Sequence, residues 1–366
     1  MFPANELFES DEMIPNPSPH RTNRHAMSLI ETLVSIVVIA SLTLTILPAL
    51  ASMRGDSLNE MSKANLMSIG QGRDQYAQDN KDRIFSYSWI PGESYTLPDG
   101  RVKTGSSWQD AAAYQNQELL QRRTGRITGA YKINSITSRL PHRRFTHLVL
   151  LDYLAKSNDA FNASTLAIDP ADQNLLNWHE RPLSYGSGSG VPYAEGIPFG
   201  YDSDFNWADN NVRSRWAFSS SYSIVPASWQ SDGLNGESLY VPTNDTPHLY
   251  RASGPNIVLG GRRMSQVAFP AAKVHLHEEF DFEQKRYPWF AYDLSSPEKL
   301  MFDGSINSEE SRRSNRSYHP ENRSIWEQTY IPLDAHAIPL GGLNDSERLS
   351  LRFRWTLDGL QGVDYD

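Results

Sequence analysis

Apolar positions are unevenly spread along the chain. From Thr32 to Met53 no residue carries a charge (TLVSIVVIASLTLTILPALASM). At about 1.5 Å per residue, a helix of that run spans roughly 33 Å, the order of a bilayer core. Thr32, Ser35, Ser41, Thr43 and Thr45 dilute it. From Arg54 to Asn80 the pattern changes to a polar segment in which Leu58, Met61, Leu66, Ile69 and Tyr76 recur at helical spacing, forming one narrow apolar stripe. Gly55, Gly70 and Gly72 weaken such a helix in isolation, so it is expected to depend on packing. The pattern predicts one long helix from Met27 to about Asn80. Its first half suits a membrane or a filament core, and its amphipathic second half suits a globular head.

Beyond Arg83 helical periodicity is scarce. Short β-rich runs alternate with turn signals at Phe85–Ile90, Phe145–Leu151, Ser220–Pro226, Asn256–Leu259, Lys273–His277, Lys299–Phe302 and Leu349–Trp355. The stretch 159–211 is dense in Gly, Ser, Asn and Asp and reads as a long surface insertion. The expected fold class is therefore α+β: a long N-terminal helix packed on a β-rich, loop-rich head covering residues 81–366.

Composition narrows the functional classes. Of 366 residues, 39% are hydrophobic and 21% charged, which fits a globular chain with a real core. The formal net charge of −9 leaves no basic surplus to displace counterions, so nucleic acid is not expected as a partner. Without a cysteine there is no disulfide framework, thiol catalysis or Cys-based zinc site.

The position of one acid gives the N-terminal run its character. Glu31 stands at its start, where a carboxylate is costly unless paired or helped by the helix dipole. His25-Ala26-Met27-Ser28-Leu29-Ile30-Glu31-Thr32-Leu33-Val34 resembles the type IV prepilin and type II secretion pseudopilin processing site. In that family a small residue, usually Gly, precedes the cut; here it is Ala26. The resemblance implies a leader over residues 1–26, cleavage before Met27, and Glu31 at the fifth position of the processed chain. Pro48 then falls where pilins often carry a helix-kinking proline. An ordinary signal peptide, cleaved near Ala49 or Ala51, is the plainer alternative. Arg21 and Arg24 on one side and Arg54 and Lys63 on the other leave the charge-based orientation tied.

Further pieces resemble the large pilin-like proteins abundant in planctomycetes. They are Asn65-Leu66-Met67-Ser68-Ile69-Gly70 with Tyr76–Asn80, Ser220–Ile224, Val267–Val274 followed by Glu278, and Lys299–Ile306. The family's H-x9-DG region is incomplete, since Asp293 replaces His ten residues before Asp303. The resemblance implies a non-enzymatic assembly subunit of a type IV pilus or type II secretion pseudopilus. Its partners would be a prepilin peptidase, other pilin subunits and inner-membrane lipid. Its place would be a bacterial inner membrane, crossed once, with the head exported to the periplasm or cell surface. Glu31 would pair with the free amine of a neighbouring subunit. The alternative is an enzyme or carbohydrate-binding protein that uses the helix only as a tether, with Trp89, Trp108, Trp178, Trp207, Trp216 and Trp229 as a sugar platform.

Chemistry-bearing patterns in the head are few. His275, His277 and Glu279 alternate along a predicted strand, so all three would share one face and could hold a metal. Asp202, Asp204 and Asn206 open like a calcium loop, but Trp207 stands where an EF-hand needs Gly and Arg213 where it needs Glu. No cofactor or metal is expected: a solvated strand and an Asx-rich turn are the plainer readings, with calcium at the loop the alternative. Asp303-Gly304 predicts a hairpin turn. Arg312, Arg313, Arg316 and Arg323 read as a solvated loop face. No GxSxG in a strand-to-helix setting, P-loop, HExxH or dinucleotide fingerprint is present.

Overall fold

The computed structural model describes residues 29–135, 145–154, 165–180, 218–230, 232, 240–242, 250–252, 259–282, 284, 289–315, 317, 351–356 and 358–365. The chain forms two compact units, Met1–Met53 and Arg54–Asp366.

Helix α1 covers Leu29–Asp79. In its first part, Leu29, Ile30, Leu33, Val34, Ile36, Val37, Val38, Ile39, Leu42 and Leu44 are all exposed. The hydroxyls of Ser41 and Thr43 donate to the carbonyls of Val37 and Ile39, each at 2.7 Å, so these polar side chains are satisfied within the helix.

The membrane half of the expected fold and the single-pass inner-membrane placement are corrected: among the described residues, no helix is long and apolar enough to cross a membrane. Thr32, Ser35, Ser41 and Thr43 dilute the apolar stretch of the helix.

In the second unit, the face of α1 that packs includes most of the predicted stripe: Leu66 and Ile69 are buried and Leu58 and Tyr76 half-buried, whereas Met61 is 53% exposed. Ser62, Arg73 and Ala77 are buried on the same face. The buried face is wider than the apolar stripe because two polar residues, Ser62 and Arg73, find partners inside the head. The glycines have a specific reason. A Cβ at Gly72 would stand 2.7 Å from Leu154 Cδ2, and one at Gly70 would stand 3.2 Å from Leu300 Cδ1. What weakens the helix in isolation is what lets it approach its neighbours.

The strands of the head are short: β1 Ser94–Thr96, β2 Val102–Thr104, β3 Tyr222–Ile224, β4 Tyr240–Pro242, β5 Tyr250–Ala252, β6 Val274–Glu278, β7 Lys299–Met301 and β8 Ile306–Asn307. β1 and β2 form one antiparallel pair, β4 and β5 another. The central sheet has the order β3-β6-β7-β8 with antiparallel neighbours. The β7–β8 turn is the predicted Asp303-Gly304: Gly304 has φ 93°, and Asp303 Oδ1 accepts from the Ser305 amide at 2.9 Å.

"β-rich" is therefore a second correction to the expected fold class. Phe85–Ile90 is irregular, Thr146–Leu150 is a 3-10 helix leading into α3 (Leu151–Leu154), and Arg352–Trp355 is a 3-10 turn. These apolar runs are buried by loops and turns rather than by ladder pairing. A short apolar run reports burial and does not by itself choose between strand and turn.

Helix α2, Trp108–Thr124, has no counterpart among the elements that the hydrophobic pattern predicts. Its ends are conventional: the Asp110 amide donates to the Ser107 side chain at 3.1 Å, and Gly125 closes the helix at φ 67°. Its buried face holds amides, which hides the apolar period. Gln115 Oε1 accepts from the Ser88 and Trp89 amides at 2.6 and 2.9 Å. Gln117 and Gln121 donate to the Ile133 carbonyl at 3.0 and 2.7 Å. A fourth helix, α4, covers Gln173–Glu180.

The core gathers around β6 and β7, with Leu66, Ile69, Phe85, Tyr222, Leu276, Phe280, Trp289, Phe290, Tyr292, Leu300, Phe302 and Phe353 all buried.

Candidate functional site

Every residue of β6 is buried, so the alternation Val274-His275-Leu276-His277-Glu278 has no solvent face. A register shift lies between Val274 and Leu276 in the pairing with β7. Strands covered on both sides usually read as continuous apolar runs; this one carries polar side chains, each with its own partner.

His275 stacks on Phe302, with ring centroids 4.2 Å apart, and its Nδ1 accepts from Arg73 Nη1 at 3.4 Å. Burial, with the Arg73 cation beside it, holds its pKa well below the usual imidazole range, so the ring is neutral. His277 Nδ1 donates to the Glu278 carbonyl at 2.7 Å, and its Nε2 accepts from Arg354 Nη2 at 3.2 Å. Glu279 accepts from Arg354 Nη2 at 2.7 Å, from Ser223 Oγ at 2.5 Å and from Trp289 Nε1 at 2.9 Å. The three residues singled out in the sequence thus occupy separate contacts. His275 and His277 each face a guanidinium, where a metal cation would be repelled. Among the described residues no group of three or more His, Cys, Asp or Glu side chains is placed to hold a metal. The solvated strand fails for the same residues: the sequence could not show that Arg73 and Arg354, far away in the chain, supply their partners.

The candidate site lies one residue along, at Glu278. Its Oε1 accepts from Ser62 Oγ of α1 at 2.6 Å, and Ser62 Oγ lies 2.9 Å from the Tyr222 hydroxyl on β3. Its Oε2 accepts from the Glu298 amide at 2.9 Å. Asp169 lines the same cavity, and its Oδ1 accepts from the Ala171 amide at 2.6 Å. Burial, then the neighbouring Asp169, push the Glu278 carboxyl well above the usual carboxylate range. Burial also raises the Tyr222 phenol. Around the pair lie Asn65, which donates to the Ile168 carbonyl at 3.2 Å, and Lys63, 3.9 Å from Glu298.

The pair borders a cavity of about 80 Å³ lined by Gly55, Leu58, Asn59, Ser62, Asp169, Ala171, Glu278 and Phe282. That volume admits a few waters, far below the roughly 300 Å³ at which small-molecule sites begin. With no room for a substrate, the carboxyl pair serves as a joint between α1, β6 and the segment around Asp169.

The remaining sequence candidates lie elsewhere. Ala26 and Met27 fall outside the described residues, as do Asp202, Asp204 and Asn206. Glu31 and Pro48 lie within α1, of which only the backbone is described at those positions. Trp178 and Trp229 are buried, and Trp89 stacks on Tyr95 at 4.1 Å with its face covered. Among the described residues the tryptophans do not form a shared platform. Arg312 and Arg313 pair with Glu310 and Glu309, at 2.5 and 3.5 Å. Glu278 was visible in the sequence only as the closing acid of a strand; its link to Ser62 spans more than two hundred residues, and no local pattern reports it.

No family model, no curated protein and no solved structure matches this chain.

Proposed function

We propose that this chain is a pilin-like assembly subunit of a type IV pilus or a type II secretion pseudopilus, with no catalytic role. A prepilin peptidase cuts before Met27, and the exposed part of α1 then packs with the same helix of neighbouring copies. The observation that carries this reading is the distribution of exposed apolar residues between Leu29 and Leu44. At 100° per residue they fall around the whole circumference of the helix, and a helix apolar all round has to be enclosed. A single flat partner would cover one side only, whereas a bundle of like helices covers every side. Glu31 supports the reading by its spacing. As the only acid at the head of this run, it pairs with the Met27 amine of the next copy and fixes the register, because an unpaired carboxylate in an apolar bundle is costly.

The test is N-terminal sequencing of the protein recovered from the cells that make it. A start at Met27 is expected. A start near Ser52, or a chain still beginning at Met1, overturns the proposal. Replacement of Glu31 by Ala is expected to abolish assembly while leaving the head folded.

A further inference from the structure

Near the C-terminus a lysine and an aspartate are enclosed together. Lys273, just before β6, and Asp364 are both 0% exposed. Lys273 Nζ lies 3.0 Å from Asp364 Oδ1 and 2.6 Å from Thr356 Oγ1, and Thr356 Oγ1 also contacts Asp364 Oδ1. The other carboxyl oxygen, Oδ2, accepts from the Val274 amide at 2.8 Å. Backbone bonds hold the two residues in place: the amides of Asp364 and Tyr365 donate to the Ala272 carbonyl at 2.9 and 3.2 Å. Asp232 also acts on Lys273 by its charge, and is itself engaged by Arg262 at 2.8 Å and by the Leu360 amide at 2.9 Å.

We propose that Lys273 and Asp364 form an intramolecular isopeptide bond, a covalent strap that ties the C-terminal segment to the central sheet. The arrangement supplies what such a condensation needs. The amine is held against the carboxyl it would attack, with Nζ 3.0 Å from Oδ1, and such fixed proximity gives large effective molarities. Water is excluded from both groups. One proton passes from the ammonium to the carboxylate, leaving a neutral amine and a carboxylic acid. Burial favours this exchange, since it lowers the lysine pKa and raises that of the aspartate.

The amine nitrogen then attacks Cγ, and the negative charge that develops on Oδ2 is met by the Val274 N–H, as in an oxyanion hole. Thr356, touching both Nζ and Oδ1, relays a proton from nitrogen to the departing oxygen. The N–Cγ bond forms, the Cγ–Oδ1 bond breaks, and one water leaves. No oxidant or other reactant is required.

The test is the mass of the denatured full chain with peptide mapping. The expected result is a mass lower by one water than the sequence requires, with a tryptic fragment joining Lys273 to Asp364 and no cleavage after Lys273. Lys273→Arg and Asp364→Ala should each restore the full mass, and Thr356→Val should leave part of the chain unlinked. A wild-type mass equal to the sequence, or the loss of a water that maps elsewhere, overturns the proposal and leaves an ordinary buried ion pair. The mass of the wild-type chain is decisive by itself, so a variant that fails to fold does not blur the outcome.

Discussion

Two stretches of α1 invert the usual relation between polarity and burial. Residues 29–44 are apolar and exposed around the helix; residues 62–77 are polar by sequence, yet bury Ser62 and Arg73 with Leu66 and Ile69. Among the described residues of its own unit, nothing covers the first stretch. The second is covered by a head whose interior provides a partner for each polar atom: Glu278 and Tyr222 for Ser62, and the Met301 carbonyl at 3.0 Å for Arg73. Burial in this chain follows from the presence of a matching partner more than from the greasiness of the segment.

The sharpest way to break that contrast is to remove one half of a buried polar pair. Arg354→Ala leaves the Glu279 carboxylate in an aromatic interior, with Phe290 and Trp289 beside the lost guanidinium. A loss of about 3–5 kcal/mol is expected in urea unfolding of the purified chain. A loss below about 1 kcal/mol would show that the pair is not buried as described.

Next in size is Leu66→Ala, which opens a cavity on the docked face and should cost about 2–5 kcal/mol. Gly72→Ala probes the same face more gently: the added methyl meets Cδ2 of Leu154, the movable end of a half-buried side chain, and alanine is the better helix former, so stability should stay within about 1 kcal/mol of wild type. A loss above about 3 kcal/mol would mean that Leu154 is held rigidly against the helix. Met61→Gln, on the exposed side of the predicted stripe, should stay within about 0.5 kcal/mol of wild type.

These variants also mark how far the sequence could be read. Helical spacing from Leu58 to Tyr76 was visible, and Leu66 and Ile69 of that stripe are buried, but the place of Ser62 on the same face was not legible. Choosing between Met61 and Ser62 as the inward residue requires Glu278, which lies far along the chain. The hairpin at Asp303-Gly304 was legible because a short turn is a local event. Helix α2 was missed because glutamines do the work of leucines on its buried side. The sites suggested at His275, His277 and Glu279 failed because alternation gives a shared face but says nothing of what lies across from it. The joint at Glu278 and Asp169 has no local signature.

Acidity separates the joint from its surroundings. Glu278 has its pKa raised on folding, so above the ordinary carboxylate value of 4.5 the folded chain holds a proton that the unfolded chain has lost. Its contribution is fully present below that value and is lost as pH rises through the folded pKa. Lys299, lowered by burial to about 8 from 10.5, works in the opposite sense: stability rises between those two values as the unfolded lysine keeps a proton that the folded one has released. Urea unfolding at a series of pH values should show Glu278→Gln flattening the decline above pH 4.5, and Lys299→Met removing the rise above pH 8. Profiles parallel to wild type would mean that neither group is buried in its uncharged form.

Residues 29–44 are, on this reading, an association surface independent of the head's stability. Sedimentation of the chain starting at Met27 tests that most directly, comparing wild type with an Ile36→Lys, Ile39→Lys double variant. Both positions are exposed, so the head should unfold at the same urea concentration in each. Large assemblies are expected for wild type and a monomer for the variant; a monomeric wild type, or a variant that assembles equally well, contradicts the proposed surface.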